Sequence, residues 1–119
     1  MSLTLGVLSI QGDVLENVLA VKASIDALGI DGTVTSVKTP DEISKVDGII
    51  IPGGESTTIG RLSVANGTLK ILKEKIEQGM PVLGICAGMI MLSKNAQDKV
   101  VGKIDQPLLD ILDLSLIHI

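Results

Sequence analysis

The stretch Pro81-Val82-Leu83-Gly84-Ile85-Cys86-Ala87-Gly88-Met89-Ile90-Met91-Leu92 decides the reading of this chain. An apolar run ends in a Gly-x-Cys-x-Gly turn, and a second apolar run with helical potential follows at once. The pattern has the form of a nucleophile elbow, a sharp strand-to-helix turn that lifts a side chain above the sheet. Gly84 and Gly88 suit such a turn because a Cβ at either position would crowd the turn or the helix packed on the strand. Cys86 is the only cysteine of the chain. The helix that starts behind it offers free backbone N–H groups and a positive dipole end, which favour a thiolate over a thiol. The alternative is a buried structural cysteine in a glycine-rich turn, since free cysteine is among the most buried residue types.

Working outward, Thr4–Ile10 reads as a buried strand, stopped by Gln11-Gly12-Asp13. Val14, Val18, Val21, Ile25 and Leu28 recur at helical spacing, and Gly29 supplies a stop. Gly32–Lys38 is a weaker strand. Thr39-Pro40-Asp41-Glu42 has the grammar of a helix start: Thr39 as N-cap, Pro40 at the first helical position and Glu42 closing a capping box. Ile49-Ile50-Ile51 is a short apolar strand broken by Pro52-Gly53-Gly54-Glu55-Ser56. A helical region follows, and another spans Thr68–Gln78, with Leu69, Leu72 and Ile76 on one face and Gly79 ending it.

Strands that alternate with helices and are apolar on both faces predict an α/β fold, a doubly wound and mainly parallel sheet with helices on both faces. In such sheets ligands bind at the carboxyl ends of the strands. Gln11-Gly12, Pro52–Ser56 and Cys86 all follow strands, so they share one rim.

Composition narrows the functional classes. A chain of 119 residues makes one domain, and 45% hydrophobic residues suffice for a packed core. With no Phe, Tyr or Trp, the core is aliphatic and the base-stacking platforms of single-stranded nucleic-acid binders are absent. A net charge of −4 without a basic run speaks against a nucleic-acid partner. No apolar stretch is long enough to span a bilayer, so no membrane partner is expected. Met1-Ser2-Leu3-Thr4-Leu5 lacks the basic start of a signal peptide. One cysteine cannot form an intrachain disulfide, which fits a reducing, cytoplasmic setting. No cofactor and no metal are expected.

Val7-Leu8-Ser9-Ile10-Gln11-Gly12, Pro52-Gly53-Gly54-Glu55-Ser56-Thr57-Thr58 and Gly84-Ile85-Cys86-Ala87-Gly88 together resemble the class I (triad) glutamine amidotransferases. More narrowly they are similar to the glutaminase subunits of pyridoxal 5′-phosphate synthase, the PdxT/SNO family. The Gly-Gly-Glu-Ser-Thr-Thr string discriminates, and the resemblance runs from about Leu5 to about Asp113. It implies a flavodoxin-like fold and hydrolysis of L-glutamine to glutamate and ammonia through a cysteine thioester. The implied partner is the synthase subunit, in a hetero-oligomer that uses the ammonia to build pyridoxal 5′-phosphate.

Carried over by position, Cys86 is the nucleophile, and the backbone N–H groups of Gly54 and Ala87 form the oxyanion hole. Gly54, Glu55 and Ser56 match the glutamine-binding loop, and Gln11 matches a residue that responds to partner docking. Bland readings stand beside these. The Pro52–Ser56 loop could be a tight turn with Ser56 as helix N-cap, and Gln11 an exposed loop amide.

Members of the resembled family are longer and carry a His-x-Glu pair near the carboxyl terminus. This chain has no such pair, and its only histidine is His118. The expectation is therefore the amino-terminal part of such a domain over residues 1–113, incomplete at the carboxyl terminus, with a divergent tail at 114–119. The alternative function is a non-catalytic module that keeps only the docking surface.

Overall fold

The computed structural model of the chain describes residues 2–98, 102–103, 107–111 and 115–118. Strand β1 (Leu3–Leu8) leads into helix α1 (Val14–Leu28), then β2 (Gly32–Val37), α2 (Pro40–Ile43) and β3 (Gly48–Ile51). Helices α3 (Ser56–Ala65) and α4 (Thr68–Glu77) follow, then β4 (Val82–Gly84) and α5 (Ala87–Leu92). Three further strands, β5 (Asn95–Asp98), β6 (Gly102–Lys103) and β7 (Ser115–His118), come last.

The main sheet has the order β2-β1-β3-β4 and is parallel throughout. This is the doubly wound arrangement expected from the alternation of elements. Its local signals operate as the sequence suggests. Gly29 closes α1 in the left-handed region (φ 66°), with Gly29 and Ile30 N–H groups donating back to Asp26 and Ile25 carbonyls. The Glu42 N–H donates to the Thr39 hydroxyl at 3.2 Å. The return half of the box differs, because the Glu42 carboxylate accepts from the Thr39 hydroxyl and the Lys38 N–H.

Register divides the sheet into two faces, because successive strand residues point to opposite sides. Leu8, Ile49 and Ile51 face a core completed by Ile43 of α2, Ile59 of α3, Leu72 of α4 and Met91 and Leu92 of α5. The opposite face carries Leu3, Leu5, Val7, Ile50 and Leu83, with Val7 opposite Ile50 and Ile50 opposite Leu83. Helix α1 packs on that face against β1 and β2. Its expected apolar stripe is only partly used: Ile25 is buried, whereas Leu28 is 71% exposed.

The structure differs from the sequence reading in two places. Strand β1 stops at Leu8 rather than Ile10, because β2 ends opposite it at Val37, whose carbonyl accepts the last bond of the ladder from the Ser9 N–H. The small sheet β6-β5-β7, with β5 antiparallel to β6 and parallel to β7, was not anticipated. The boundary expected between Asp113 and Leu114 lies outside the described residues, while 115–118 form β7.

Candidate active site

The parallel sheet changes winding direction between β1 and β3, and the carboxyl ends of strands at such a switch point are where sheets of this kind bind ligands. Three loops reach that rim: the residues after β1, after β3 and after β4.

Cys86 occupies the junction of β4 and α5 and is exposed. The reading as a buried structural cysteine is therefore not met. Its backbone has φ 50° and ψ −107°, a conformation that a side-chain-bearing residue adopts at a cost of order 1–3 kcal/mol. Hydrogen bonds on both sides hold it there. The Ile85 N–H donates to the Ile51 carbonyl at 3.0 Å, Gly88 N–H to the Ile85 carbonyl at 2.8 Å, and Ile90 N–H to the Cys86 carbonyl at 3.1 Å. Gly88 is indispensable to this arrangement, since a Cβ on it would run into the Ile51 carbonyl group. Ala87 is the first residue of α5, so its N–H has no acceptor within the helix.

The loop after β3 lies directly alongside. A Cβ built on Gly53 would stand 3.6 Å from the Cys86 Cβ, which puts the Gly53 backbone beside the Cys86 side chain, while Gly54, next in the chain, packs against Gln11 and Gly12. This loop is fastened to the one after β1 by two hydrogen bonds. The Asp13 N–H donates to the Gly53 carbonyl at 2.9 Å, and the Glu55 N–H donates to Gln11 Oε1 at 2.8 Å. Gly12 has φ 105° and lies so close to the Gly53 carbonyl that only glycine fits. Gln11 is thus a tie between loops rather than an idle surface amide.

Glu55, not Ser56, caps α3, which corrects the tight-turn reading. Its carboxylate accepts from the N–H groups of Thr57 and Thr58 and from the Thr58 hydroxyl at 2.6 Å. A carboxylate with two oxygens satisfies two orphan donors of the first turn, where a serine hydroxyl satisfies one. The Thr58 hydroxyl bond, reinforced by the N–H bonds, holds the Glu55 carboxyl below the ordinary carboxylate range. Ser56 opens the helix.

The structure therefore brings Gln11, Gly54, Glu55, Cys86 and Ala87 to one rim. His118 does not belong to that rim's strands: it lies in β7, its backbone paired with Asp98 of β5. Gly53 and Gly12 were not singled out as site residues. Gly53 lies beside Cys86, and the Gly-Gly pair is the signal that could mark it. Among the described residues, no cluster of His, Cys, Asp and Glu is arranged to hold a metal ion. Nor is any described helix long and apolar enough to cross a membrane.

The sequence pattern of the SNO glutamine amidotransferase family matches residues 7–116. The chain belongs to this family. It is 62% identical over 116 residues to the pyridoxal 5′-phosphate synthase subunit PdxT of Nitrosopumilus maritimus, covering 98% of this chain and 57% of that protein. With the PdxT of Staphylothermus marinus it shares 51% identity over 112 residues, 94% of this chain and 55% of the relative. The chain thus spans little more than half the length of these relatives. A crystal structure of a glutamine amidotransferase superposes with a TM-score of 0.75 at 35% identity, over 93% of this chain and 54% of the other. A peptidase E-like protein of Listeria monocytogenes shares the fold alone, with a TM-score of 0.69 at 20% identity.

Proposed function

We propose that this amidotransferase chain carries the nucleophile and oxyanion-stabilising parts of a glutaminase that feeds ammonia to a pyridoxal 5′-phosphate synthase subunit. The observation that carries the reading is the strained, exposed Cys86 at the head of α5, set beside Gly53 at the start of the Gly-Gly loop. The Cys86 thiolate attacks the side-chain amide carbon of L-glutamine. The carbonyl oxygen takes up the negative charge and is received by the N–H groups of Gly54 and Ala87. The C–N bond then breaks as the amide nitrogen takes up the proton that the Cys86 thiol gave up, so ammonia leaves and a γ-glutamyl thioester remains for water to hydrolyse. Preorganised donors of this kind are each worth ~10²–10³ in rate.

The Gly54–Ser56 loop holds the substrate, and Gln11, through its bond to the Glu55 N–H, transmits docking of the synthase subunit to that loop. A reduced thiol nucleophile suits the cytoplasm. The test combines labelling with turnover. A glutamine-like electrophile should modify Cys86 and no other residue, and free L-glutamine should protect against it. The synthase subunit should form a complex with the chain. Labelling that glutamine does not slow would overturn the assignment of the site.

A further inference from the structure

Asp13 stands at the N-cap of α1, yet its side chain makes no capping hydrogen bond. An aspartate in that place ordinarily accepts from the N–H groups of the first turn. The backbone of Asp13 is fixed by other means. Its N–H donates to the Gly53 carbonyl at 2.9 Å, and its carbonyl accepts from the Asn17 side-chain amide at 2.7 Å. The carboxylate lies beside Gly53 instead, on the side of the nucleophile. Asp13 Oδ2 stands 3.1 Å, and the Cys86 Cβ 3.6 Å, from the position that a Cβ on Gly53 would take. The ion pairs among the described residues are Lys45–Asp41 and Lys73–Glu77, so neither offsets the charge of Asp13. Glu55, the other carboxylate on this rim, is occupied by Thr57 and Thr58.

N–H donors aimed at a developing oxyanion also suit the oxygen of a ground-state carboxylate. Such donors alone do not separate a carboxamide from the carboxylate that its hydrolysis leaves behind. We propose that Asp13 is a specificity-determining residue, whose fixed negative charge admits a neutral carboxamide at Cys86 and repels a carboxylate. A carboxamide N–H can donate to Asp13, whereas an ionised carboxylate has no proton to give. Like charge set against the wrong ligand is a general means of rejecting it. Glutamine and glutamate as the pair told apart rest on the glutaminase reading; the charge selection at Cys86 rests on the placement of Asp13.

The test uses two alkylating reagents of nearly equal size, neutral iodoacetamide and anionic iodoacetate. With either one the Cys86 sulfur attacks the methylene carbon, a C–S bond forms, iodide leaves, and the thiol proton passes to solvent. The rate ratio of iodoacetamide to iodoacetate at Cys86 should fall about tenfold on Asp13→Asn, the order expected for one unit charge acting over several ångströms in a partly screened site. The substitution is isosteric at an exposed position, and any general change in thiol reactivity cancels in the ratio. Asp13→Glu keeps the charge and should keep most of the ratio. Added salt should lower the ratio of the wild type and leave that of Asp13→Asn in place. In a second arm, L-glutamine should protect Cys86 from iodoacetamide better than L-glutamate does, and Asp13→Asn should narrow the gap. A ratio unchanged in Asp13→Asn would overturn the inference. A ratio that falls as expected while neither amino acid protects would uphold the charge selection and overturn the glutaminase reading.

Discussion

The sharpest test of the elbow's construction is Gly88→Ala. A Cβ on Gly88 would stand 2.7 Å from the Ile51 carbonyl carbon and 3.0 Å from the Ile51 Cβ. Carbon atoms in contact prefer about 3.5–4.0 Å, so α5 must withdraw from β3 by on the order of 1 Å. Neither side can yield cheaply, because the obstacle is backbone in the central part of the sheet and Ile51 is fully buried. Overpacking of this kind costs about 3 kcal/mol at the upper end of its usual range, a large share of the ~5–15 kcal/mol that holds a domain together. With a urea slope of ~1.5 kcal/mol per molar, the unfolding midpoint should fall by about 2 M.

The second consequence is chemical. Moving α5 moves Cys86 away from the Gly53-Gly54 loop, and a 1 Å misplacement of reacting groups costs about 10²-fold in rate. Labelling by a glutamine-like electrophile should therefore slow about 100-fold relative to labelling by iodoacetamide, which needs no oxyanion donors. The two probes together separate a displaced thiol from an unfolded one. A Gly88→Ala chain with an unchanged midpoint and an unchanged ratio of the two labelling rates would refute the reasoning.

Gly29→Ala is the contrasting case: nothing lies within 4 Å of its added Cβ, so only the left-handed backbone is penalised, by ~1–2 kcal/mol, and the labelling ratio should not move in the same denaturation and labelling assays. Glu55→Ala removes the α3 cap and should cost about 1 kcal/mol in thermal or chemical unfolding. Because the folded-state Glu55 pKa is lowered, chiefly by the Thr58 hydroxyl, its contribution is present above the unfolded carboxylate value near 4.3. It is lost as pH falls through the lower folded value, so wild type and Glu55→Ala should converge in stability only in acid. Gln11→Ala removes the acceptor of the Glu55 N–H and should slow glutamine-like labelling while leaving iodoacetamide labelling alone; equal slowing of both would contradict the loop-tie role. The 119-residue chain by itself should be labelled but release no ammonia catalytically, because losing general acid–base help costs ~10²–10⁴ in rate and its one histidine is in β7; robust ammonia release abolished by His118→Ala would contradict this.

What was legible in the sequence was local. The Thr39 cap, the Gly29 stop and the Gly-x-Cys-x-Gly elbow each depend on residues within a few positions of one another, so spacing alone discloses them. The short strand Ile49-Ile50-Ile51 was legible because a β-branched run buried on both faces has few other uses. The tie from Gln11 to Glu55 spans 44 residues and exists only because β1 and β3 are neighbours. Nothing in a glutamine after a strand announces which loop it will meet. Strand β5 reads Asn-Ala-Gln-Asp, a composition depleted in strand formers, and is extended because β7 pairs with it from far along the chain. Capping by Glu55 rather than Ser56 was a contest between adjacent residues, decided by a carboxylate that reaches two N–H groups and a hydroxyl.

The two halves of the site take their position from one residue. The Ile51 carbonyl accepts the Ile85 N–H, which fixes the residue before Cys86, and Gly88 packs against the same carbonyl group. The chain then runs directly from Ile51 through Pro52 into Gly53 and Gly54, the loop beside the thiol. Thiol and proposed oxyanion donors are therefore measured from the same end of β3, while the bonds to Gln11 and Asp13 brace that loop from β1.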